Sequence, residues 1–218
     1  MSNEFFREIE DELVGTIMKY PNSKIDWGCV QNNEMDKKTK PYSIYRFCNL
    51  ILKLSRMVDS FDKMYLFCRW FRYWCAKCDE NSFCWKGKAI MNPNQSDKNW
   101  DIKFNHVKNV DDIEFDVKST RMPKDFTKEE KDFYQNNPEK LIEWFYQNQS
   151  KGERNAYQNR FFIIHLADDR RTENIKRVSF DKKRVLIDKY FQSIESGEHL
   201  PYTLVVDGHK VISDVLFV

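Results

Sequence analysis

The chain has 218 residues and is 41% hydrophobic, enough for one generous core or two small ones at the usual ~150 residues per domain. Its 36 lysines and arginines nearly cancel its 34 acids to leave +2, so the whole-molecule field gives little support to an extended coat of nucleic acid, and any binding surface must be a local patch. No run of about 18 uncharged apolar residues is present, and the polar, acidic segment from Met1 to Glu12 does not read as a leader, which points to a cytoplasmic protein without a membrane span.

Six cysteines are too few for a disulfide scaffold in a chain of this size, so reduced thiols are expected. We expect a single domain, mainly helical over 1–80 and built on a mixed sheet over 81–218.

Residues 3–20 place Phe5, Ile9, Leu13 and Ile17 on one helical stripe, with Asn3 as a cap and Pro21-Asn22 as the stop. Residues 21–40 read as a polar loop. Two apolar helices follow, Tyr42 to Val58 and the aromatic-rich Phe61 to Lys77, which must be buried on several sides or serve a partner. Phe83 to Ile90, Trp100 to Phe104 and Ile113 to Ser119 read as three strands separated by turns such as Asn92-Pro93-Asn94.

A helix from about Lys128 to Gln149 opens on a Thr127–Glu130 capping box. The unbroken run Phe161-Phe162-Ile163-Ile164, within Arg160 to Leu166, is that of a strand covered on both faces. Residues 182–197 suggest a further helix, and Thr203–Val206 with Lys210–Val218 a hairpin around Asp207-Gly208. The order α, insertion, βββαβ, αββ predicts an α/β fold with a mixed central sheet flanked by helices.

The chemically informative string runs from Trp100-Asp101 to Asp116-Val117-Lys118-Ser119. On a strand Asp116 and Lys118 project to one face, while Phe115, Val117 and Ser119 project to the other. If the segment holding Asp101 pairs with this strand, a second carboxylate joins them and an oxygen-ligand site for magnesium results, with the Val117 carbonyl as a third donor. Such a cation stabilises charge on a phosphodiester oxygen and lowers the pKa of a bound water. Lys118 is suited to orient that water or to neutralise the pentavalent phosphorane. The plainer reading is a surface ion pair on an exposed sheet face, which contributes little.

With Asp101, Asp116 and Lys118 in these places, the chain resembles the PD-(D/E)xK nucleases, in which an Asp on one strand precedes an acid, any residue and Lys on the next. Trp100 stands where the family pattern has proline. The resemblance implies a restriction-endonuclease-like core carrying an N-terminal helical insertion, and magnesium-dependent cleavage of DNA, with manganese as an alternative metal. Duplex DNA would be the partner, and a homodimer suits the two strands of a duplex. The family also commonly places a Glu of the first helix near the metal, and Glu12 is the best candidate here. Arg121, Gln158 and Arg160 are candidate nucleic-acid contacts, the arginines because a guanidinium forks onto two phosphate oxygens.

Other signals are weaker. The bases Arg170, Arg171, Lys176, Arg177, Lys182, Lys183 and Arg184 outnumber the neighbouring acids Asp168, Asp169, Glu173 and Asp181, which suits either a phosphate-binding patch or a solvated helix face. Cys68, Cys75, Cys78 and Cys84 invite a zinc reading, but only one pair has finger-like spacing, and on a helix the first three share a face as small buried hydrophobes. His106, His165, His199 and His209 show no metal-type spacing and no nucleophile motif, and no glycine-rich phosphate loop occurs. A second class of function is a non-catalytic interaction module in which the aromatic helix Phe61 to Trp74 contacts a partner chain. Burial discriminates the two, because convergent acids in a cleft favour the enzyme and an exposed aromatic patch favours the module.

Overall fold

The computed structural model describes residues 2–19, 34, 60–94, 97, 99–149 and 157–218. The expected loop over 21–40, apart from Glu34, and the expected helix Tyr42 to Val58 lie outside the described residues. The chain divides into two compact units, one comprising Met1–Cys78 with Asp169–Ser179 and the other Asp79–Asp168 with Phe180–Val218.

In the first unit, α1 (Asn3–Lys19) buries Ile9, Leu13 and Ile17 of the predicted stripe, but at its first turn Phe6 is the buried ring and Phe5 stays half-buried. Its cap is Ser2 rather than Asn3, since the Ser2 hydroxyl accepts the Phe5 N–H at 3.2 Å. The aromatic helix α2 (Ser60–Cys84) buries Tyr65, Phe67, Trp70, Phe71 and Trp74, and Phe5 meets Trp74 edge-on at 5.8 Å. Cys68, Cys75 and Cys78 are buried with essentially no exposure. No helix among the described residues is long and apolar enough to cross a membrane.

The second unit is built on six strands: β1 (Ala89–Met91), β2 (Ile102–Phe104), β3 (Glu114–Arg121), β4 (Arg160–His165), β5 (Tyr202–Val206) and β6 (His209–Phe217). They form one mixed sheet in the order β1-β2-β3-β4-β6-β5. Antiparallel pairing joins β1 to β2, β2 to β3 and β5 to β6, and parallel pairing joins β3 to β4 and β4 to β6. The protein is therefore an α/β protein with an open mixed sheet flanked by helices.

Helices α3 (Lys128–Asn136), α4 (Pro138–Gln149) and α6 (Phe180–Ser196) belong to this unit, and the short α5 (Arg170–Arg177) to the first. Every residue of β4 is buried, because its two faces serve two cores. Phe161 and Ile163 join Phe83, Phe104, Phe115 and the α6 residues Ile187, Phe191 and Ile194 on one side. Phe162 and Ile164 join Leu141, Ile142 and Phe145 of α4 on the other, with the Phe145 and Phe162 rings stacked at 4.9 Å. The β5–β6 turn has φ of 47° at Asp207 and 81° at Gly208, the left-handed pair that a two-residue hairpin requires.

Two expected elements are redrawn. The single helix over Lys128–Gln149 is two, broken at Asn137 (φ −131°, ψ 67°). Pro138 lacks an N–H and sterically disfavours helical backbone at the residue before it, yet suits the first position of α4. The Thr127–Glu130 capping box is present in both directions, with bonds of 2.7 and 3.1 Å. The strand expected over Phe83–Ile90 shrinks to Ala89–Met91, because α2 runs on to Cys84. There the Gly87 N–H reaches the Cys84 carbonyl at 3.0 Å and a φ of 73° turns the chain away, a conformation that costs glycine little.

The basic stretch over 170–184 does not form one free patch. Arg177 bonds Glu173 at 2.7 Å, Lys183 is fully buried against Asp79, and the buried Arg184 pairs with Asp181 at 2.7 Å while its guanidinium lies 4.6 Å from the Trp85 ring.

Candidate active site

β3 carries the centre of the site. Its alternation sends Phe115 into the core shared with α6 and leaves Asp116 and Lys118 on the α4 side. Asp101 sits in the bend before β2, tied to β3 twice. Its backbone N–H donates to the Phe115 carbonyl at 2.9 Å, and its carboxylate Oδ2 accepts the Val117 N–H at 2.9 Å. The antiparallel register Ile102 to Phe115 makes this contact automatic.

The three side chains named from the sequence therefore converge. Lys118 Nζ donates to Asp116 Oδ1 at 2.6 Å, and Asp101, bonded to the backbone of the neighbouring Val117, is near enough to act on the Asp116 carboxyl. Asp116 is only 8% exposed, whereas 34% of the Lys118 side chain is exposed. Burial pushes the Asp116 carboxyl above the ordinary range. Lys118 pulls it back by charge and hydrogen bond, and Asp101 pushes it up again. A carboxylate kept out of water beside a second carboxylate differs from the solvated ion pair of an exposed sheet face.

The parallel register sets Asp116 opposite Arg160 and Arg160 opposite Ser213. Arg160 is buried, its Nε 3.8 Å from Asp116 Oδ2, and its guanidinium lies 4.9 Å from the Tyr146 ring centre. The Tyr146 hydroxyl donates to the Gln158 carbonyl at 2.7 Å, and burial pushes it up to about 12. The Ser213 hydroxyl donates to the Arg160 carbonyl at 2.6 Å. Asn159 bonds both neighbouring strands, donating to the Glu114 carbonyl at 3.2 Å and accepting the Ile212 N–H at 2.8 Å.

Of the three nucleic-acid candidates, Arg160 thus stands behind Asp116 rather than on an open surface. Gln158 is half-buried two residues before it. Arg121, half-buried, is five residues along β3 from Asp116, so strand alternation directs it to the opposite face. Glu12 belongs to α1 of the first unit, and burial pushes its carboxyl up to about 7. Among the described residues no group of three or more His, Cys, Asp or Glu is placed to hold a metal ion.

Two further constellations escape sequence reading. Ser119 Oγ lies 2.8 Å from Nε2 of the buried His165, paired by the β3–β4 register across 46 positions, on the face opposite Asp116. On that face too, the buried Asp214 accepts the Tyr190 hydroxyl at 2.8 Å and contacts His199 Nε2 at 2.6 Å. The hydrogen bond to Asp214 holds His199 above its usual 6.5, with burial opposing. A raised folded-state pKa means that the pair stabilises fully below the unfolded value and loses its contribution as pH rises through the folded one. Denaturant titrations between about pH 5.5 and 8.5 should therefore show the stability gap between wild type and His199→Gln narrowing as pH rises. A gap that stays constant would refute the assignment.

No family model, curated protein or solved structure matches the chain. What the fold itself defines is an α/β class with a six-stranded mixed sheet.

Proposed function

We propose that the chain is a metal-dependent nuclease of the PD-(D/E)xK type that hydrolyses phosphodiester bonds of DNA, as a restriction or mobile-element defence enzyme does. The observation that carries this reading is the meeting of Asp101, Asp116 and Lys118 on one sheet face, with Lys118 bonded to Asp116 at 2.6 Å. The element order supports it as well, since β1, β2 and β3 form an antiparallel run, helices follow, and β4 returns parallel to β3, in keeping with a βββαβ core.

The donor set suits magnesium, which takes oxygen ligands, keeps several waters and is commonly held by one or two carboxylates. Asp101 and Asp116 would hold it, with the Val117 carbonyl as a further oxygen. The chemistry such a cation supplies when bound is stabilisation of a non-bridging phosphate oxygen and a bound water of lowered pKa. Lys118 keeps part of its side chain in solvent while bonded to Asp116, and its ammonium would orient an attacking water or neutralise charge on phosphorus. Arg160, held by Tyr146 and by the β4–β6 register, fixes the far side of the Asp116 carboxylate. Water oxygen would bond to phosphorus as one ester P–O bond breaks, the water's proton passing to solvent and the departing oxygen taking one up, so that one strand end carries a phosphate monoester and the other a hydroxyl.

The interaction-module alternative loses its main support, because Tyr65, Phe67, Trp70, Phe71 and Trp74 are buried rather than displayed. The test is incubation of the full chain with supercoiled, linear duplex and single-stranded DNA, with magnesium, with manganese and with a chelator. Cleavage that needs the cation is expected. Indifference of every substrate to the cation overturns the reading.

A further inference from the structure

Resting on the nuclease reading, a second feature of the same sheet names part of the substrate. Tyr157 and His209 stack face to face, their ring centroids 3.7 Å apart and their planes 16° from parallel. Tyr157 is 41% exposed and His209 is exposed. Neither ring takes part in the two cores of the sheet, so the stack is not needed to build the fold.

The pair joins the turn before β4 to the start of β6. His209 opens β6 immediately after the left-handed Asp207-Gly208 turn, and its Nδ1 lies 3.1 Å from the Asp207 carbonyl. Tyr157 stands three residues before Arg160, at the start of β4. On β6, His209 shares parity with Val211 and Val215, which join the α4-side core, and with Ser213 opposite Arg160. The stack therefore lies on the face that carries Asp116 and beyond the end of β4 at which Asp116 pairs. Four residues along β6 at about 3.3 Å each, and two strand spacings of about 4.8 Å, put it roughly 16 Å from Asp116.

We infer that Tyr157 and His209 form a stacking platform for an unpaired nucleobase of the substrate strand whose phosphodiester reaches Asp116. Two rings already stacked between the β6 hairpin and the turn before β4 leave an outer face ready to extend the stack, and every base offers a π-face to it. Pre-ordering removes part of the entropy cost of capturing a flexible strand. The substrate class is then DNA with a single-stranded segment beside the cut, such as a flap, a gap or an unwound end.

The experiment measures binding of a fluorescein-labelled oligothymidylate, and of an abasic oligomer of equal length, to the full chain at fixed salt. All proteins carry Asp116→Asn so that the probe stays intact. Tyr157→Ala should weaken oligothymidylate binding by roughly tenfold or more, Tyr157→Phe should restore it, and the abasic oligomer should be insensitive to either change. Equal affinity of the parent and Tyr157→Ala for oligothymidylate overturns the platform, whatever the wild-type protein does in cleavage assays. Loss of stacking-dependent binding in Tyr157→Ala upholds it even if no DNA is cut, in which case it is the nuclease reading that fails.

Discussion

Asp116→Asn is expected to lower metal-dependent DNA cleavage by roughly a thousandfold while leaving the fold intact. The carboxylate is 8% exposed, beside Asp101, and tied to Lys118. Its desolvation and the neighbouring acid are a cost that the fold carries, and sites that carry such costs are where function and stability part. Asparagine keeps the volume and can still accept from Lys118, so circular dichroism and the unfolding midpoint should stay close to wild type. Cleavage by Asp116→Asn at the wild-type rate would remove Asp116 from the chemistry. Unfolding of the variant would instead mark the residue as structural, and Asp101→Asn, at a bend outside the strand, would then decide.

The largest effect on stability is expected at a different pair. Lys183 of α6 and Asp79 of α2 form an ion pair with neither side chain exposed, and the Lys183 ammonium also lies 4.3 Å from the centre of the Phe180 ring. Removing one partner leaves the other charge in the interior, which typically costs about 3–5 kcal/mol, whereas replacing both by apolar groups of similar size is often neutral. Lys183→Met should accordingly destabilise by about 3–5 kcal/mol in denaturant unfolding, and Asp79→Leu combined with Lys183→Met should recover most of it. A single variant within about 1 kcal/mol of wild type would show that water reaches the pair.

Much of this architecture can be read from residue order. Phe161 to Ile164 announces a strand buried on both faces, Asp207-Gly208 a tight hairpin, and Thr127 with Glu130 a helix start. Each is a local signal with a local cause. The parity of Asp116 and Lys118 follows from strand geometry alone, and the convergence with Asp101 follows once β2 pairs with β3. The errors are also local in origin. A periodic apolar pattern runs straight through Asn137-Pro138 although the backbone cannot, and Phe83-Cys84 have the composition of a strand but complete the last turn of α2.

What residue order does not reveal is what the parallel register brings together. Nothing near Asp116 in the chain points to Arg160, 44 positions on, as its neighbour, and the same pairing of β3 with β4 sets Ser119 against His165. The charge of Lys183 reads as part of a basic surface until the partner, Asp79, appears 104 positions away. Long-range pairing, not propensity, decides which charges are spent inside.

Calorimetric titration of the full chain with manganese or magnesium, repeated on Asp101→Asn, addresses the shared-cation site most directly. One cation per chain for the wild type, and affinity lower by roughly tenfold or more for the variant, is the expected outcome. No heat of binding in the wild type, or the same affinity in both proteins, would contradict it.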